Sequence, residues 1–146
     1  MIIAEANRPT ILIVDDDPVS REILAQLLAI ARFAALSAAT GEHALALLEE
    51  RGARIDWLFT AVQLPGLIDG WMVADQYRLH HPLRAIVYAS CSDADLARSA
   101  APDIIIRKPV SPIQAFSLIK RLTDDSRPAT AVGAELLGAS TRTFSP

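Results

Sequence analysis

Three consecutive carboxylates, Asp15, Asp16 and Asp17, stand at the end of the apolar run Ile11 to Val14. Acids held that close repel one another unless a cation shares the site. A hard divalent ion such as Mg²⁺ takes oxygen ligands of this kind and keeps several of its waters. The plainer reading lets Asp17 cap a helix and leaves Asp15 and Asp16 in water; burial of the preceding run weighs against it. Lys108 is the second informative residue. The chain has 12 Arg but only two Lys, Lys108 and Lys120. Where Arg is the habitual cation, Lys suggests a need for a compact point charge. Pro109 follows it and makes a rigid turn, with a cis peptide one of the two options. Ser90 is the third. Its hydroxyl can donate to a phosphoryl or carboxylate oxygen, although a lone Ser at a strand end is ordinary.

The elements that must position these residues alternate along the chain. Ile11–Val14 is β-branched and apolar throughout, as in a strand buried on both faces. Asp17-Pro18 combines a good N-cap with a favoured first helical residue. Leu24, Leu27, Leu28 and Ala31 then recur at helical spacing and predict a helix from Pro18 to about Arg32. A weak strand at 34–37 precedes a helix opened by Thr40-Gly41 and ending near Gly52. A strong strand at 55–61 leads to a loop, 63–70, punctuated by Pro65, Gly66 and Gly70. Val73, Ala74 and Tyr77 share a face of the next helix. A strand at 85–89, a short helix capped by Asp93 and reaching about Ala100, a strand at 104–106 and a helix from Pro112 complete the series.

Strand and helix thus alternate five times, which implies a parallel sheet with helices on both faces. Ligands of such sheets sit at the carboxyl ends of the strands. Asp15, Asp16, Ala61, Ser90 and Lys108 should therefore converge at one edge.

Composition excludes several functions. The 146 residues are 51% hydrophobic and 21% charged, a globular balance. A net charge of -3 without a basic run argues against nucleic acid. The single Cys rules out a disulfide framework and a Cys-based metal site. No apolar run approaches membrane-spanning length, and Met1–Arg8 lacks the order of a signal peptide, so a cytoplasmic protein is expected. The glycines form neither a Walker loop nor a dinucleotide fingerprint. His43, His80 and His81 lack carboxylates at ligand spacing and read as surface helix positions. Trp71 and Tyr77 read as packing, and Cys91 as a small strand-end residue.

Four stretches in order resemble the receiver domains of bacterial two-component response regulators. They are Ile11–Pro18, Asp56–Gly66 with Asp69-Gly70, Ala89-Ser90, and Arg107-Lys108-Pro109. The resemblance implies a flavodoxin-like (βα)₅ sandwich with strand order 2-1-3-4-5. It covers residues 9–125, leaving an N-terminal extension, 1–8, and a tail, 126–146, in which Leu136 and Leu137 could seat a short helix. It implies a single-domain regulator that takes a phosphoryl group from a histidine kinase or phosphotransfer protein. Output would pass to a protein target through the face of the fourth helix, fifth strand and fifth helix, about Asp93 to Leu122. Asp15 and Asp16 match the family's Mg²⁺ acids, and the Gln63 carbonyl its third protein ligand. Ser90 and Lys108 match the residues that bind the phosphoryl oxygens.

The position of the acceptor aspartate is Ala61. A methyl group cannot attack phosphorus and supplies no oxygen to a metal. Thr60 should point away by strand alternation, Asp56 lies at the wrong strand end, and Asp69 is in the loop. Mg²⁺ should therefore bind weakly or not at all. Ile105 departs from the aromatic found there in many receivers, and the loop at 64–70 is one residue longer than the commonest form. Ala61 is consistent with a natural pseudo-receiver or with an introduced substitution that locks a receiver off. With its acceptor partner missing, Lys108 should turn toward Asp15 or Asp16. A rival reading takes Asp15-Asp16-Asp17-Pro18-Val19 as the motif of haloacid-dehalogenase-like phosphohydrolases. Asp15 would then be the nucleophile and Asp17 the general acid. The further acidic pair such enzymes need is matched only by Asp124-Asp125.

Overall fold

A computed structural model describes residues 8–98 and 100–125. Five strands, β1 (Thr10–Val14), β2 (Ala34–Ala38), β3 (Trp57–Ala61), β4 (Val87–Ser90) and β5 (Ile104–Arg107), alternate with five α-helices. These are α1 (Pro18–Ile30), α2 (Gly41–Arg51), α3 (Gly70–Arg78), α4 (Asp93–Leu96) and α5 (Pro112–Asp125). The strands pair in parallel in the order β2-β1-β3-β4-β5. The expected topology is therefore the observed one. Contacts divide the chain into two units, Met1–Phe116 and Ser117–Pro146, with the boundary inside α5. In the second, the Thr123 hydroxyl donates to the Lys120 carbonyl (2.9 Å) and Lys120 pairs with Asp124 one helical turn on. The expected extension and tail fall almost wholly outside the described residues.

Alternation along the strands splits the core of the first unit in two. Leu12, Val14, Leu58 and Tyr88 point to one face of the sheet, where they join Ala44 and Leu48 of α2 and Val73, Ala74 and Tyr77 of α3. Ile13, Phe59 and Ala89 point to the other, toward Leu24 of α1 and Ala115 of α5. Burial of the larger of these, the Leu, Ile, Val and Phe side chains, contributes ~1.5–3 kcal/mol each relative to exposure. Helix starts follow local chemistry. Asp17 caps α1 by accepting from the Val19 N–H (3.1 Å), and Thr40 and Asp69 cap α2 and α3 in the same way. Two glycines allow close approach. A Cβ on Gly41 would lie 2.5 Å from Ile68, and one on Gly70 would lie 2.1 Å from the Ala61 carbonyl oxygen.

Several boundaries differ from those expected. Helix α1 ends at Ile30 because Arg32 takes a left-handed conformation (φ 73°) and the Phe33 N–H turns back to the Leu28 carbonyl. Strand β3 starts at Trp57, not at residue 55, because the Ile55 N–H closes the short turn on Gly52. Strand β4 starts at Val87, since the Ile86 N–H is taken by the Asp103 carboxylate (3.0 Å). Helix α4 is one turn long; it stops at Leu96, with no buried residue to extend it. Its cap is Ser92, not Asp93, which is instead ion-paired with Arg107. The Lys108-Pro109 peptide is cis.

Candidate functional site

The backbone ladder runs one residue past the strands and fixes the edge. The Asp15 N–H donates to Ala38 (3.1 Å), Val62 to Ala89 (2.9 Å) and Lys108 to Ser90 (2.9 Å). Asp15, Ser90 and Lys108 are thereby brought to the carboxyl end of the sheet beside Ala61, which is in register with Ala89. Ala61 is fully buried. Thr60 is also buried, and its hydroxyl bonds to the Ala61 carbonyl (2.8 Å), which commits it locally.

The Lys108 ammonium stands 3.9 Å from Asp15 Oδ1, with the two side chains 25% and 14% exposed. Lys108 thus turns toward Asp15, as its missing partner led us to expect, while Asp16 is exposed. Burial raises the Asp15 carboxyl above its ordinary range; the Asp17 N–H (3.1 Å) and then Lys108 oppose that rise. Arg21 donates to the Asp15 carbonyl (2.7 Å) and braces the turn from behind. Asp17 behaves oppositely. The Ser20 hydroxyl (2.8 Å) is the main reason its carboxyl is held below the usual range.

Ser90 is fully buried, and its hydroxyl is already engaged. It donates to Asp95 Oδ2 at 2.7 Å and accepts from the Gln63 amide (3.2 Å) and the Ser92 N–H (3.0 Å). Gln63 Nε2 also donates to Asp95 (2.7 Å). Sequence reasoning overlooked Asp95 altogether, and gave Gln63 a role for its carbonyl only. A signal existed: Ser92-x-x-Asp95 has the spacing of a helix capping box, which foretells a short helix bringing Asp95 back over the end of β4.

Among the described residues, no group of three His, Cys, Asp or Glu side chains is placed to hold a metal ion. The donors expected from the sequence are half-buried Asp15, exposed Asp16 and the Gln63 carbonyl, and an ammonium already stands beside the first. Mg²⁺ prefers six well-placed oxygens, so this set does not fit a dedicated Mg²⁺ site.

The other residues singled out sort simply. Trp71 packs on Tyr88 (4.6 Å between rings) beneath Arg98, and Tyr77 donates to the Asp56 carbonyl (2.6 Å). His43 is an exposed position of α2. His80 and His81 lie past the end of α3, so they are not helix positions. His81 is only partly exposed: its ring packs on Tyr77, and its Nε2 is buried without a hydrogen-bond partner among the described residues.

Residues 11–120 match the model of the response regulator receiver domain family. The chain belongs to the receiver domain family of response regulators. It is 31% identical over 106 residues to a cyclic di-GMP phosphodiesterase of Thermotoga maritima, covering 70% of this chain and 27% of that protein. It is 31% identical over 121 residues to the positive alginate biosynthesis regulatory protein of Pseudomonas aeruginosa, covering 81% and 47%. The receiver therefore spans less than half the length of these relatives. A solved response regulator receiver protein of Sinorhizobium medicae is 28% identical, with a TM-score of 0.71 over 82% of this chain and 97% of that one. The receiver domain of the hybrid histidine kinase CckA is 27% identical, with a TM-score of 0.64 over 77% and 97%.

Receiver domains are signalling modules of two-component systems. They interact with histidine kinases or phosphotransfer proteins and generally bind Mg²⁺ at their acidic pocket. No helix among the described residues is long and apolar enough to cross a membrane.

Proposed function

We propose that this chain, over residues 9–125, is a receiver that signals without being phosphorylated, because Ala61 occupies the acceptor position. The observation that carries the reading is the buried methyl group of Ala61 at the end of β3, between the ladders that hold Asp15 and Ser90. Neighbouring side chains offer no substitute. Thr60 is bonded to its own strand, and Asp69 is spent on capping α3. Ser90 and Lys108 keep the family's phosphoryl-binding positions but are turned to Asp95 and Asp15. Recognition of a kinase or phosphotransfer protein is retained as binding without transfer. Output runs through α4, β5 and the start of α5, where Asp93, Arg107 and Ile113 are exposed. No observation favours phosphohydrolase chemistry, in which Asp17 would be a free general acid; its carboxylate accepts from Val19 and Ser20.

Incubation with acetyl phosphate tests the reading. The chain should gain no phosphoryl mass, and Ala61→Asp should gain it. Stable aspartyl labelling of the unsubstituted chain would refute the placement of the acceptor at position 61. In the same preparations, calorimetry should show no Mg²⁺ binding at micromolar concentration, and stronger binding in Ala61→Asp, which adds a carboxylate to the donor set.

A further inference from the structure

Beneath Lys108, on the α1 and α5 side of the sheet, lies a cleft of ≈ 310 Å³. Its floor and walls include Ile13, Leu24, Phe59, Ala89 and Ala115, every one of them at most 3% exposed. That volume is at the small end of the range of ligand sites, which are mostly apolar with a few convergent polar groups. An apolar floor of this kind favours the apolar part of a guest, which leaves water on binding. The mouth is charged: Lys108 and Arg21 stand there with Asp15 and Asp17.

These four charges are not equally available. Arg21 is bonded to the Asp15 carbonyl, and Asp17 accepts from Val19 and Ser20. Asp15 takes the Asp17 N–H. The Lys108 side chain, three-quarters buried, has among the described residues only the 3.9 Å ion pair, longer than a hydrogen bond. An ammonium so largely buried, with free donors, favours an additional anion.

We infer that the cleft is a binding site for a small amphiphilic carboxylate, with its acid group on Lys108 and its apolar body against Ile13, Phe59 and Ala115. In this way the receiver would respond to a soluble metabolite-like acid at the lysine that other receivers reserve for a phosphoryl group. The inference goes beyond the phosphorylation reading and can fail separately from it. Labelling reads position 61, whereas binding reads the floor of the cleft.

The experiment is a titration of the purified chain, followed by methyl- and amide-resolved NMR, with phenylbutyrate as probe. Phenylbutanamide, phenylbutylamine and acetate serve as comparisons. Phenylbutyrate should shift the Ile13, Leu24 and Ala115 methyl signals with a Kd of about 0.1–1 mM. The amide and the amine should bind at least about tenfold more weakly, and acetate should leave the floor signals unmoved. Lys108→Met should bring acid and amide to equal affinity. Ala115→Leu should abolish binding by filling the space, with Ala89→Val as the second filling variant if the first does not fold. Absence of floor shifts at about 5 mM phenylbutyrate would overturn the site. So would equal or stronger binding of the amine, or unchanged binding in a folded, filled variant.

Discussion

The two faces of the sheet are packed on different principles. On the α2 and α3 face, backbone meets backbone. Gly70 sits where a methyl group would lie 2.1 Å from the Ala61 carbonyl, and Gly41 is pressed against Ile68. On the α1 and α5 face, buried residues as small as Ala89 and Ala115 leave a ≈ 310 Å³ cleft under Lys108. Interiors close-packed like the first face respond to a single added methyl, whereas an under-filled site absorbs one. Ala61, at the end of β3, has its backbone carbonyl against the tight face and stands at the edge both faces share. The fold thus holds the end of β3 rigidly while the space beside Lys108 remains adjustable.

The sharpest way to break this comparison is to enlarge one small residue on each face. Gly70→Ala should cost about 3 kcal/mol or more, because its Cβ meets backbone that cannot move aside. Ala115→Leu, a larger change in volume, should fall within about 1–2 kcal/mol of the parent, on the stabilising side if the cleft accepts the new side chain. Urea unfolding of both variants decides the matter. Comparable destabilisation by the two would mean that the faces do not differ.

A smaller effect separates the edge charges. Burial raises the Asp15 carboxyl, so the folded chain holds that proton more tightly than the unfolded one. Stability from this residue is then present at acid pH and is lost as pH rises from 3.8 through the folded value. Asp15→Asn should therefore raise Tm by a few degrees at neutral pH, with the difference closing below the ordinary carboxylate range. Lys108→Met should do the reverse at neutral pH, leaving the Asp15 carboxylate without its cation. A Tm that falls in both variants would show the ion pair to be worth more than the burial it offsets.

The smallest effect belongs to the opposite end of the sheet. Burial, and then Arg84, lower the His81 pKa below its ordinary 6.5. The unfolded chain then binds this proton more readily, so stability should decline as pH falls below 6.5 and level off below the folded value. His81→Phe keeps a ring against Tyr77 and should flatten that part of a Tm-against-pH profile.

Much of this was legible in the residues. Asp17-Pro18 announces a helix start, and five alternating strands and helices put Asp15, Ser90 and Lys108 at one edge, because parallel sheets gather their strand ends. The approach of Lys108 to Asp15 follows from charge alone once Ala61 is placed. What was not legible depends on distance in space rather than along the chain. Asp95 reaches Ser90 only because α4 folds back over β4, and the hint in Ser92-x-x-Asp95 concerns the cap rather than its target. His81 lies beyond the last turn of α3, where helical periodicity says nothing about burial. The cleft is a shortfall of volume between Leu24, Phe59 and Ala115, and a shortfall has no pattern in a sequence.

The single turn of α4 carries one more consequence. It has no buried residue, so it is pinned rather than packed: Asp95 to Ser90 and Gln63, and Asp93 to Arg107. Its opening would expose almost no apolar surface and would leave the sheet intact. Amide hydrogens of Leu96 and Ala97 should therefore exchange through local opening, far ahead of those in β1 and β3, which exchange only when the whole domain opens. A segment with that property can change partners without the cost of unfolding, and one of its two pins, Asp95, ends on the Ser90 and Gln63 that stand at the strand-end edge beside Ala61.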